Sequence, residues 1–176
     1  YPYVVKIQGK VKELIAQHRS SVFDTWLEQD KISCLPNYAL PAVISPTAFT
    51  SMVPKSLYTA EEDMNEYEFK VVWALSELGN VKWWHRNISR LGFQINGPVH
   101  AYPDIIVMLH SGKILMVETK GDHLDNDESK EKAKIGDQWA KLAGKQYKYY
   151  MVFETKQPDY PGAYSLERFM EIVQGL

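Results

Sequence analysis

Cysteine is nearly missing: Cys34 stands alone among 176 residues. One thiol closes no intramolecular disulfide and builds no cysteine metal site, and it fits a reducing, cytoplasmic setting. Long apolar runs are missing too. No window reaches the roughly 18 uninterrupted apolar residues of a membrane helix. The opening, YPYVVKIQGK, has neither an initiator Met nor the basic-then-apolar layout of a secretory signal, so a piece of a longer protein, or a chain whose first residues are not seen, is expected. Positive charge is not in excess. A formal net charge of −2 argues against a free-standing nucleic-acid binder. Any such affinity must come from a local patch, from metal ions or from neighbouring domains. The histidines at 18, 85, 100, 110 and 123 show no metal-ligand spacing. No G-x-x-x-x-G-K-[ST] loop occurs, so ATP hydrolysis belongs elsewhere.

What is present suits one domain with an ordinary core, since 45% of residues are apolar and 12% aromatic. Residues 4 to 28 carry apolar positions such as Val4, Ile7, Val11 and Leu14 at a helical period. Prolines at 36, 41, 46 and 54 then forbid a long helix. Leu40, Val43, Ile44 and Phe49 are too apolar for a floppy linker, so this connector is expected to pack as an arm. Residues 1–58 are read as that helix and arm, and 59–176 as the functional domain.

Thr59 and Glu62 have capping-box spacing ahead of the helical stretch MNEYEFKVVWALSELGN. VKWWHR reads as a strand, HAYPDIIVML and KILMVETK as a hairpin about HSGK, and YKYYMVF as a fourth strand. A helix over 128 to 144, with Ala133, Trp139 and Leu142 inward, separates the last two. SLERFMEIVQ closes the chain as a helix. The expected fold is α/β: a mixed four-stranded sheet flanked by helices in the order αβββαβ, with the N-terminal helix and arm added. The tight turn makes strands two and three antiparallel, and the crossover helix makes three and four parallel.

The hairpin carries the chemistry. Folding it about residue 111 brings Asp104 opposite Glu118, with Cβ atoms roughly 4.5–5.5 Å apart. That pairing requires an odd-length loop or a bulge. Alternation returns Lys120 to the same face. Two close carboxylates repel, and a divalent cation removes the conflict. Oxygen ligands in this number suit Mg²⁺, which polarises a phosphodiester and lowers the pKa of a bound water. Lys120 is placed to orient that water or to meet charge building on phosphate oxygens. The same three residues also fit a surface salt-bridge network.

At Pro103-Asp104 and Glu118-Thr119-Lys120 the chain resembles the PD-(D/E)xK nuclease superfamily, whose core has this element order. It is most similar to the nuclease domain of type III restriction enzymes and related helicase-linked subunits, through NEYEFKVVWAL, VKWWHRN and YPDIIVMLHSGKILMVETKG. The resemblance covers about 60 to 155. It implies a restriction-endonuclease-like core and a Mg²⁺-dependent endonuclease acting on double-stranded DNA, with Mn²⁺ as a substitute. It implies Asp104, Glu118 and the Thr119 carbonyl as metal ligands and Lys120 as the catalytic lysine. A glutamate of the first domain helix joins the set, Glu68 by pattern and Glu66 as the fallback. It also implies an ATP-dependent helicase domain in the full-length chain and a methyltransferase or specificity subunit as partner. The alternatives are a catalytically inactive version of the fold that holds DNA or a partner domain, and a repair or mobile-element nuclease.

Lys134 and Gln138 share a helical face and are the candidate DNA contacts, set against the reading of a plain solvated face. In Trp83-Trp84, alternation buries one ring and exposes the other. The phrase ETK recurs at Glu154-Thr155-Lys156, but no proline-aspartate strand precedes it. The first copy is therefore expected to be catalytic.

Overall fold

The computed structural model describes residues 2–49 and 52–176; Tyr1 and the connector positions Thr50 and Ser51 lie outside the described residues. Pro2–Glu28 forms α1 and Glu66–Glu77 forms α2. Val81–Arg86 (β1), Ile105–Leu109 (β2) and Ile114–Lys120 (β3) follow. Then come α3 (Asp127–Ala143), β4 (Tyr147–Phe153), β5 (Ala163–Ser165) and α4 (Leu166–Gln174). The strands form one mixed sheet in the order β1-β2-β3-β4-β5. β1, β2 and β3 are antiparallel in turn, whereas β3, β4 and β5 run parallel.

The fold is α/β, and the sheet has five strands rather than the expected four. β5 is a three-residue edge, too short for any periodicity to show, and it pairs with the end of β4. β3 and β4 read as continuous apolar runs because both faces of the sheet are covered. On one face Val71, Val72 and Leu75 of α2 and Phe169 and Val173 of α4 pack on Leu115, Val117 and Val152. On the other, Ala133, Ile135 and Trp139 of α3 pack on Ile106, Met116, Met151 and Phe153. Leu142, expected inward, is 40% exposed, and Ile135 takes the core position.

Gly136 sits inside α3, where glycine costs roughly 0.5–1 kcal/mol relative to alanine. A Cβ there would lie 2.3–2.4 Å from the Tyr149 ring, so the helix gives up a side chain to seat that ring against it.

The expected capping box at Thr59 and Glu62 is not the one that forms. Glu62 instead accepts from the Thr47 amide at 3.0 Å, and Asn65 caps α2 in reciprocal bonds with Glu68. The apolar stripe of α1 is about half exposed at Val4, Val11 and Leu14, and none of the helix is buried. α1 meets α3 through Ser20–Glu131 and Asp24–Lys134 contacts. Leu40, Cys34 and Tyr38 of the connector pack on the α3-side core, but Val43 and Phe49 stay exposed. The connector then borders β1: the Trp84 amide donates to Lys55 O and the Leu57 amide to Trp84 O. Trp84 is fully buried, while Trp83 packs only partly on the α3-side core.

The hairpin has the anticipated register, Ile105 to Met108 pairing with Val117 to Ile114. Its loop is the odd-length kind, His110-Ser111-Gly112. The Gly112 amide donates to Leu109 O at 3.0 Å, and the Leu109 amide to Lys113 O at 2.9 Å. Gly112 has φ +83°, a left-handed conformation that glycine adopts without a Cβ penalty.

Candidate active site

The carboxyl end of β3 opens into a cleft of about 750 Å³, whose lining includes Glu68, Asp104, Thr119, Lys120, Asp122 and Glu154. Four elements deliver the charged groups. Glu68 comes from the first turn of α2, Arg86 from the last position of β1, Asp104 from the entry to β2, and Glu118 and Lys120 from the end of β3.

At Asp104 the ladder slips by one residue, its amide donating to Val117 O at 2.8 Å. The slip turns the carboxylate across the strand end. Its Oδ2 accepts from the Thr119 amide at 2.7 Å and the Thr119 hydroxyl at 2.8 Å. Asp104 is therefore locked to the residue after Glu118 rather than aimed squarely at Glu118.

Glu118 is only 5% exposed and lies just behind the cleft wall. Lys120 Nζ donates to its Oε1 at 2.6 Å. Its Oε2 is buried and has no hydrogen-bond partner. Burial, then the nearby charge of Asp104, pushes the Glu118 carboxyl up to about 7, against the pull of Lys120. Burial works to lower the Lys120 pKa, but the charge of Glu118 outweighs it and the ammonium is held above its ordinary value.

Glu68 is buried, whereas Glu66, the fallback, is exposed. Both oxygens of Glu68 are engaged: Oε2 accepts from the Asn65 amide at 3.0 Å and Oε1 from Arg86 Nη2 at 2.9 Å. Burial lifts its pKa, Arg86 opposes that, and Asp104 adds to it.

Arg86 is the residue that the sequence reading left without a role. Its Nη1 donates to the Asp104 carbonyl at 2.8 Å and approaches Asp104 Oδ1 at 3.3 Å, so one guanidinium joins Glu68 to Asp104. The available signal was its position: Arg86 ends β1 and pairs with Ile105, next to Asp104.

The candidate DNA contacts Lys134 and Gln138 lie elsewhere. Lys134 pairs with Asp24 of α1 at 2.7 Å, and Gln138 lines a separate hollow of about 390 Å³ between the connector and α3. Glu154 takes a 3.2 Å contact from Lys70, and Lys156 turns away to Asp125. Asp122, in the turn after β3, ties the two ETK copies together by accepting from the Thr155 and Lys156 amides, each at 3.1 Å.

Among the described residues, no three His, Cys, Asp or Glu side chains form a group that could hold a metal ion. Arg86 and Asn65 engage both oxygens of Glu68, while Asp104 and Glu118 stand together at the open end of the hairpin. Two carboxylates and a carbonyl still match a hydrated Mg²⁺, which keeps several waters. Glu118 keeps one oxygen without a partner, and burial and then the charge of Asp104 raise its pKa, a donor set whose charge one cation would balance. Comparisons of the chain with protein-family models, with curated proteins and with solved structures found no match.

Proposed function

We propose that this chain is the nuclease domain of a larger DNA-cleaving protein, with a restriction-endonuclease-like core of the PD-(D/E)xK kind and closest in type to helicase-linked type III restriction subunits. The observation that carries the reading is the end of β3. Glu118 is buried with one oxygen on Lys120 and the other unpartnered, beside Asp104 at the mouth of the hairpin.

In this reading Asp104, Glu118 and the Thr119 carbonyl hold Mg²⁺ or Mn²⁺. A bound ion supplies a polarised phosphodiester and a bound water of lowered pKa. The protein's own residues do the rest. Thr119 fixes the Asp104 carboxylate with two hydrogen bonds. Lys120 carries the positive charge that faces developing negative charge on phosphate oxygens. Glu68 acts through Arg86, which it holds against Asp104. The lining residues Asp122 and Glu154 add negative charge at the cleft, and a cation offsets the repulsion that a DNA phosphate would meet there.

Double-stranded DNA is the proposed substrate, an ATP-dependent helicase domain in the full-length chain the proposed companion, and the cytoplasm the proposed location. A methyltransferase or specificity subunit is the partner that this reading implies.

One observation favours a second reading, a nuclease fold without catalysis. Arg86 and Lys120 already engage all three acids, so the site is bonded without any ion. Nicking of supercoiled plasmid in Mg²⁺, in Mn²⁺ and in chelator separates the two. Metal-dependent nicking that Glu118→Gln removes supports the first reading. Absence of nicking in either metal by the full-length protein supports the second.

A further inference from the structure

Two buried side-chain atoms among the described residues have no hydrogen-bond partner, Glu118 Oε2 and Tyr149 Oη. Buried polar atoms are nearly always bonded, so each orphan needs a reason. These two share a neighbourhood. Tyr149 pairs with Met116 and Met151 pairs with Glu118 in the parallel ladder of β3 and β4. Tyr149 is therefore the diagonal neighbour of Glu118 on the α3 side of the sheet, a separation that an aromatic side chain spans. Burial first, then the charges of Glu118 and Asp104, push the phenol's pKa up and keep it protonated, hence a donor.

The seat of the ring is built. Gly136 is a glycine in the middle of α3, and any larger residue there would run into the Tyr149 ring. A phenylalanine would fill that seat equally well, yet the chain carries a hydroxyl into an apolar layer that includes Met116, Met151 and Ala133. Packing alone does not account for the oxygen.

We infer that Tyr149 is a positioning residue of the carboxylate site, its hydroxyl donating to the inner oxygen of Glu118 when that carboxylate holds a divalent cation. The inference rests on the reading of Asp104 and Glu118 as cation ligands. Ligating carboxylates are commonly held by a further hydrogen bond, and losing such a partner typically lowers metal affinity about 10- to 100-fold.

The test uses Mn²⁺ binding and thermal melts of the wild type, Tyr149→Phe and Glu118→Gln, in chelator and in millimolar Mn²⁺. Tyr149→Phe is expected to melt in chelator at or above the wild-type temperature, because it removes an unpaired buried hydroxyl. In Mn²⁺ it should lose most of the metal-induced rise, with a dissociation constant raised about tenfold or more. Unchanged Mn²⁺ affinity overturns the inference. So does an equal loss of melting temperature with and without metal, or failure to fold, since either makes the hydroxyl a packing requirement. A wild type that binds no Mn²⁺ overturns the cation site itself, and only that outcome appears in the wild-type arm.

Discussion

Lys120 holds one oxygen of Glu118 at 2.6 Å while the other oxygen of the same carboxylate stays buried and unpaired. A half-satisfied carboxylate in an apolar wall costs stability whenever it is charged.

That cost sets a pH dependence. Glu118 titrates at 4.5 when unfolded and is pushed up to about 7 in the fold, so between those values the folded state binds more protons. The contribution of Glu118 to the stability of the metal-free protein should therefore be greatest below about pH 4.5, fall through that window, and level off above about 7. The drop is on the order of 3 kcal/mol from a raised carboxyl. Glu68, raised mainly by burial, bends the curve the same way. Urea unfolding in chelator from pH 4 to 8 measures this. Glu118→Gln should flatten most of the fall; a curve unchanged by that substitution contradicts the assignment.

Cation binding should oppose the same cost. An ion at 100 times its dissociation constant adds about 2.7 kcal/mol if it binds only the folded state. The gain should appear at pH 8 and shrink at pH 5, where Glu118 is protonated. Asp104→Asn should abolish it. Equal melting temperatures in millimolar Mg²⁺ and in chelator at pH 8 count against the site.

The two ETK copies should behave differently under mutation. Glu118→Ala and Lys120→Ala should abolish metal-dependent DNA cleavage by the full-length protein, while Lys156→Ala, whose ammonium pairs with Asp125 away from the cleft, should cut within a few-fold of wild type. Lys120→Ala should also destabilise the fold more at pH 8 than at pH 5, because only the charged Glu118 misses its partner. Cleavage that survives at Lys120 and dies at Lys156 would select the other copy.

Arg86 should matter to the fold as much as to the site. Arg86→Met leaves the buried Glu68 without its counter-charge, a loss of roughly 3–5 kcal/mol for a broken buried pair. Glu68→Gln in the same chain should restore part of it, giving a coupling energy of about 1–3 kcal/mol in a double-mutant cycle. Additive losses would mean that the 2.9 Å contact contributes nothing.

Gly136→Ala should destabilise the protein although alanine is the better helix former. The added methyl meets the Tyr149 ring and must displace it, an overpacking cost of about 1–3 kcal/mol. A neutral or stabilising result in thermal melts would show that the ring moves freely.

The sequence alone determined the features that depend on short-range arithmetic. Apolar runs and breakers gave the helices and the four longer strands. The distance between Asp104 and Glu118 gave the hairpin register and its odd-length loop, because pleating alternates with period two. Residues joined only through packing were not legible in this way. β5 is too short to carry a period. The slip at Asp104 moved its carboxylate onto Thr119, and Arg86 reached both acids because β1 ends where α2 begins its turn. The tertiary structure decided these points because they depend on distances between elements far apart in sequence, and only packing sets those distances.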